Sequence, residues 1–162
     1  ASGRMAFLVR DNGRGMAAEV AAHATDAFFT TRTTRRFGLG LALLEGTCRQ
    51  CDGELRVESV LGQGTTVRGT LNYRHLDCPP LGNMGAVVQC LALEGNRVAF
   101  VYRHVVDDRE FVLDTREIAC PLGTGELTDP RVLCWLADHV NAALQALHHQ
   151  SNGGKQTREL DN

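Results

Sequence analysis

Lysine is nearly absent from this chain: of 17 Lys and Arg residues, 16 are arginine and only Lys155 is lysine. Such a bias is a common mark of genomic base composition and carries no function by itself. Aromatic residues are scarce at 6%, with one Trp, and there are only four prolines. A proline-rich extended linker is thereby excluded. No apolar run approaches the roughly 20 residues that a membrane-spanning helix needs, so no membrane segment is expected. Neither sign of charge dominates, with 17 basic against 19 acidic residues and a net charge of −2. A dedicated nucleic-acid binder carries a strongly basic face, and none is expected here. No basic stretch followed by an apolar one opens the sequence, so no signal peptide is expected and a cytoplasmic location is.

What is present is ordinary globular material: 162 residues, 43% hydrophobic and 22% charged, which suits one domain or one domain with a short second lobe. Charge is uneven along the chain. Residues 1–72 carry nine Arg against seven acids, and residues 73–162 carry eight basic against twelve acidic residues. A mildly basic front half tolerates an anionic ligand. The six cysteines include one Cys48-Arg-Gln-Cys51 pair. With no second pair and no His pair nearby, it reads as small buried thiols at a helix end rather than a four-ligand zinc site. No metal ligand is assigned, and none of the six histidines is paired with an acid at a telling spacing.

Periodicity sets the elements. Met5–Arg10 has strand length and ends at the loop Asp11-Asn-Gly-Arg-Gly15. Ala17–Ala24 reads as a short helix and Thr25–Phe37 as a loop. Gly38–Cys51 reads as a helix with Leu39, Leu43, Leu44 and Cys48 as its apolar positions, stopped by Gly53. Glu54–Val60 and Thr65–Leu71 alternate around Leu61-Gly-Gln-Gly64 and form a hairpin, with Leu55, Val57 and Val60 as the apolar set. The Pro-containing stretch Asp77–Gly85 is the best boundary. Beyond it, Ala86–Leu93, Arg97–Val106 and Glu110–Leu113 read as a three-stranded meander with a turn at Glu94-Gly-Asn96. A long helix over Asp129–His149 follows, with Val132, Leu133, Leu136, Val140, Ala143, Leu144 and Leu147 on one stripe. The polar end, 151–162, reads as a frayed tail.

Three glycine-rich turns carry the chemistry: Asp11-x-Gly13-x-Gly15 after a strand, Gly38-Leu39-Gly40-Leu41 opening a helix, and Gly62-x-Gly64-Thr65 between strands. Each alone is explained by turn geometry, and Asp11 alone reads first as the cap of a turn with Asn12 and Gly13. Their order is more specific. Asp11–Met16, Phe28-Phe-Thr-Thr-Arg32, Gly38–Leu41 and Gly62–Thr65 resemble, in sequence, the first glycine box, the Phe-Phe-Thr-Thr-Lys segment, and the second and third glycine boxes of the histidine-kinase-like ATPases. That superfamily, of the Bergerat fold, also holds type II topoisomerases, a heat-shock chaperone and a mismatch-repair ATPase. The pattern Phe29–Leu41 further resembles a bacterial group of ATP-binding proteins with a short extra C-terminal lobe.

The resemblance implies an α+β fold, a two-layer sandwich over 1–76, with a small α+β lobe over 84–150 and a partner protein docking through that lobe. It implies ATP or ADP as ligand. Asp11 would accept from the adenine amino group, Gly13 and Gly15 would admit the base, and Thr65 would hold it through its hydroxyl. Gly38, Leu39 and Gly40 would offer a helix N-terminus to phosphate. Thr30, Thr31, Arg32 and Arg35 would form a phosphate-facing lid, although a solvated loop explains a charge run equally well. The family places a helix with a catalytic acid and a Mg²⁺-binding Asn ahead of the first glycine box. The sequence opens too close to Asp11 to include it, so no catalytic residue is assigned. The expectation is then a fragment with impaired Mg-ATP turnover, or alternatively a non-catalytic regulatory module that keeps the fold. Trp135–Asn141 superficially resembles that helix, but Ala137 stands where its acid would be. Arg36 also departs, standing where the fuller second box has glycine.

Overall fold

A computed structural model describes residues 3–29, 38–93, 98–122 and 126–153. The chain forms two compact units, 1–80 and 81–162.

The first unit contains β1 (Arg4–Asp11), α1 (Ala18–Ala22), α2 (Gly40–Gln50), β2 (Glu54–Val60) and β3 (Gly64–Asn72). The strands form an antiparallel sheet in the order β1-β3-β2. Side chains alternate across a strand, and cross-strand partners share a face. The register therefore sorts the sheet into two faces. One carries the rows Met5–Leu71, Phe7–Gly69–Leu55, Val9–Val67–Val57 and Asp11–Thr65–Ser59. The other carries Arg10–Thr66–Glu58, Leu8–Arg68–Arg56 and Ala6–Thr70–Glu54, and is largely charged. Helix α2 covers one end of the apolar face. Its Cys48 and Cys51 are fully buried and pack with Leu71, Met5, Phe7, Leu55 and Cys78. Gly69 is required beneath Phe7, because a Cβ there would stand 2.1 Å from the ring's Cζ.

The α+β character and the strands of this unit match the sequence expectation, with three local corrections. The face that α2 turns inward runs through Leu41, Leu44 and Cys48, while Leu39 and Leu43 are exposed. Val60 points away from the apolar face, because strict alternation from Leu55 and Val57 reaches Ser59 instead. Helix α2 does not stop on Gly53. The left-handed residue is Asp52 (φ 55°), and the Gly53 amide returns to the Cys48 carbonyl at 2.8 Å. That pattern is a Schellman closure. Gly53 serves packing instead, since a Cβ would lie 1.9 Å from the Thr70 carbonyl oxygen.

The second unit contains α3 (Met84–Leu93), β4 (Val101–Val106), β5 (Arg109–Asp114), α4 (Thr115–Leu122) and α5 (Pro130–Gly153). The expected meander is overturned: its first strand is helix α3, leaving a two-stranded hairpin. A short apolar run does not distinguish helix from strand by hydrophobicity. Capping decides, for Asn83 Oδ1 accepts from the Ala86 amide at 3.0 Å and Gly85, Val88 and Ala92 are buried at helical spacing. Helix α4 was not expected. Asp114 caps it by accepting from the Arg116 amide at 2.9 Å. The turn expected at Glu94–Asn96 lies outside the described residues.

Helix α5 carries the expected stripe, with Leu133, Leu136, Val140, Leu144 and Leu147 buried against Val88, Ala92 and Leu113. It starts on Asp129 as cap with Pro130 in the first position, where a missing N–H costs nothing. It extends to Gly153, beyond the expected end, and 154–162 lie outside the described residues. Asn141 faces α3: its Oδ1 accepts from the Gly85 amide at 3.1 Å. This is a structural task for the residue that superficially resembled a metal ligand.

Candidate functional site

The site forms where the apolar face of the first sheet ends in polar residues. Asp11 closes β1, Thr65 lies opposite it on β3, and Ser59 lies opposite Thr65 on β2. All three share one row and one face. Beside them runs the row Val9–Val67–Val57, in which Val9 is 62% exposed. An open apolar floor bordered by polar acceptors is suited to a planar heteroaromatic ligand.

The first and third glycine turns are clamped together. The Gly62 amide donates to the Arg14 carbonyl at 2.7 Å, and the Met16 amide donates to Ser59 Oγ at 2.9 Å. Gly15 (φ 63°) passes so near β2 that a Cβ would stand 1.9 Å from the Val60 carbonyl oxygen. Gly64 (φ 105°) passes equally near β1, with a Cβ 2.0 Å from the Asp11 carbonyl oxygen. These two glycines are thus demanded by the protein's own backbone. Asp11 Oδ1 accepts from the Gly13 amide at 2.8 Å, so the carboxylate does cap its own turn. Its second oxygen has no partner among the described residues. Asp11 is itself exposed.

The second glycine turn stands at the start of α2. Leu39 is the N-cap residue and makes no side-chain cap hydrogen bond; the first turn holds no acid. Around Gly40 the space for a Cβ is open, with nothing within 4 Å. Amides without a side-chain cap among the described residues, and the positive end of the helix dipole, favour an anion there. Phe28, at φ 70°, donates its amide to the Gly38 carbonyl at 3.0 Å. Thr30, Thr31, Arg32 and Arg35, expected to form the lid, lie outside the described residues, as does Arg36.

Asp11, Gly13, Gly15 and Thr65 are therefore brought together, and Gly38, Leu39 and Gly40 form the helix start. Sequence reasoning missed Ser59, which bonds to Thr65 Oγ1 at 2.9 Å and to the Gly64 carbonyl at 3.1 Å. The available signal was the alternation Leu55, Val57, Ser59. Cys48 and Cys51 take no part: burial pushes both thiols up, and in Cys51 the hydrogen bond to Cys78 adds to it. Among the described residues no group of three or more His, Cys, Asp or Glu is arranged to hold a metal ion, and no helix is long and apolar enough to cross a membrane.

Fold and motifs define a class, and comparison with known proteins agrees with it. Residues 1–75 match the family described as histidine kinase-, DNA gyrase B-, and HSP90-like ATPase. The match supports placing that part of the chain with the histidine-kinase-like ATPases. Among similar proteins is the C4-dicarboxylate transport sensor protein DctB of Pseudomonas aeruginosa, 43% identical over 63 residues, which are 38% of this chain and 10% of that protein. The non-motile and phage-resistance protein of Caulobacter vibrioides is 40% identical over 74 residues, 43% of this chain and 9% of that protein. The sensor kinase CckA of Brucella abortus is 36% identical over 63 residues, 38% of this chain and 7% of that protein. The chain thus spans about a tenth of the length of the curated relatives it matches.

Proposed function

We propose that the first unit binds ATP or ADP as the nucleotide-binding module of a sensor histidine kinase. The observation that carries this reading is the row Asp11–Thr65–Ser59 beside the open valine floor. Asp11 would receive a proton of the adenine amino group on its unpaired oxygen. Thr65 would hold the same edge of the base, directly or through water. The base would lie on Val9, Val57 and Val67. The uncapped start of α2 would face the phosphates, with Gly38 and Gly40 admitting close approach. Four of the similar proteins carry sensor or kinase names, which favours phosphoryl transfer as the use made of the bound ATP. When bound, ATP supplies the transferable phosphoryl group; this unit's residues bind and orient it. The Mg²⁺ that the family uses, and a partner met by the second unit, belong to the same proposal.

The test is an ADP titration by calorimetry, with and without Mg²⁺, of the unaltered chain and of Asp11→Asn. Asparagine keeps an acceptor for the Gly13 amide but turns an amide NH₂ toward the base. Loss of a charged acceptor and gain of a facing donor should weaken ADP at least about tenfold. Equal affinity in Asp11→Asn would remove Asp11 from the site.

A further inference from the structure

Among the described residues, Ser59 ties two other segments of the site together, the first glycine loop and the start of β3. It touches the Met16 amide at the end of the first glycine loop, the Gly64 carbonyl in the third glycine turn, and the Thr65 hydroxyl. A serine hydroxyl has one proton to donate and two lone pairs to accept with. The Gly64 carbonyl can only accept, so the Ser59 proton goes to it. The Met16 amide can only donate, so it occupies one Ser59 lone pair. One lone pair remains, and Thr65 Oγ1 stands 2.9 Å away. With the Ser59 proton on the Gly64 carbonyl, the Thr65 proton points at Ser59, and what Thr65 turns elsewhere is acceptor alone.

On this basis we infer that Ser59 is a positioning residue that fixes Thr65 as a hydrogen-bond acceptor and so selects a purine with an amino group at C6. Asp11 offers its unpaired carboxylate oxygen from the neighbouring position of the same row. Two acceptors side by side match the two protons of an exocyclic amino group. A 6-oxo purine would set a carbonyl against both of them, acceptor facing acceptor, a penalty larger than the gain from a good pair. The inference rests on the nucleotide reading above and adds the origin of its base selectivity.

The experiment compares ADP with IDP, which differ in the base only at C6 and the adjoining N1 proton. Affinities of the full chain are measured by calorimetry for the unaltered sequence, Ser59→Ala and Ser59→Thr, with circular dichroism confirming the fold. Ser59→Ala frees the Thr65 proton to turn toward a 6-oxo group. The ADP-to-IDP preference should then narrow about five- to tenfold. Any loosening of the Met16 loop weakens both ligands and cancels in the ratio. Ser59→Thr keeps the hydroxyl and should restore the preference. If Ser59→Ala lowers both affinities equally, or leaves both unchanged, Ser59 sets no selectivity and the inference falls alone. If the unaltered chain binds IDP as well as ADP, it also falls alone. If the unaltered chain binds neither, the nucleotide reading falls and takes this inference with it.

Discussion

Gly62 and Gly64 stand two residues apart in one turn, and replacing each by alanine separates conformational cost from steric cost. Both have positive φ, 80° and 105°. An L-residue in such a conformation costs roughly 1–2 kcal/mol, and both variants bear this. Their surroundings differ. A Cβ on Gly62 meets nothing within 4 Å. On Gly64 it would stand 2.0 Å from the Asp11 carbonyl oxygen, 2.8 Å from that carbonyl's carbon and 2.9 Å from Asn12 Cα. All three are backbone atoms, so no side chain can swing aside. Carbon–oxygen contacts usually settle at about 3.3 Å or more, so β1 and β3 must part by more than about 1 Å where Asp11 pairs with Thr65. Overpacking of this kind costs about 1–3 kcal/mol, and a lost ladder bond about 1 kcal/mol more. Gly62→Ala should therefore cost about 1–2 kcal/mol and Gly64→Ala about 3–6 kcal/mol. The only tryptophan, Trp135, lies in the second unit, so fluorescence would report the wrong part of the chain. Native-state hydrogen exchange at the β1 and β3 amides reads the first unit directly. Equal losses in the two variants, or a Gly64→Ala chain as protected as the unaltered one, would refute the reasoning.

Other outcomes are expected in the second unit. Gly85→Ala would set a Cβ 2.3 Å from the Ala137 carbonyl oxygen and 2.6 Å from Asn141 Nδ2; urea unfolding followed by Trp135 should show a loss of about 1–3 kcal/mol. Asn141→Ala removes the acceptor for the Gly85 amide and should cost about 1 kcal/mol in the same assay. His104 is half-buried, with the Tyr102 hydroxyl 3.0 Å from its Nδ1 and the His148 ring 5.7 Å away. Burial, and then the charge of His148, hold its pKa below the usual histidine value. The unfolded chain therefore takes up this proton first as pH falls. The stability contributed by neutral His104 is full above roughly pH 6.5 and is lost as pH falls through and below that value. His104→Asn should flatten the urea midpoint against pH between roughly 7 and 5; an unchanged slope would show that another group carries it.

Sequence made the first unit readable because its physics is local. Met5 and Phe7 alternate with exposed neighbours, Leu55 and Val57 do likewise, and Gly62–Gly64 sits where the chain must reverse. Period two and turn chemistry suffice there. In Met84–Leu93 the same method failed, because nearly every residue is apolar and the helical face appears only once Gly85 is seen against Ala137 and Asn141 of a helix some 50 residues on. Leu39 and Leu43 misled for a related reason. Apolar identity alone did not reveal which stripe of α2 meets the sheet, and Leu43 is 66% exposed. Ser59 was hidden by its chemistry, since a serine in a strand carries no hydrophobic signal. Only the register discloses that it shares a row with Thr65 and Asp11.

The two readings of Asp11, turn cap and ligand acceptor, do not compete once the carboxylate is treated as two oxygens. Gly13 holds one of them, and that bond fixes where the other points. A ligand meeting a carboxylate already oriented loses less entropy than one that must order a free side chain. The glycines shift meaning in the same way. Gly15 and Gly64 are required by Val60 and by Asp11's own carbonyl, so a backbone folded this way needs them with or without a nucleotide. Their spacing therefore speaks for the fold. The proposed ligand would draw on what the clamped loops leave over: a second oxygen on Asp11, the hydroxyl of Thr65, an exposed Val9 and a start to α2 with no side-chain cap among the described residues.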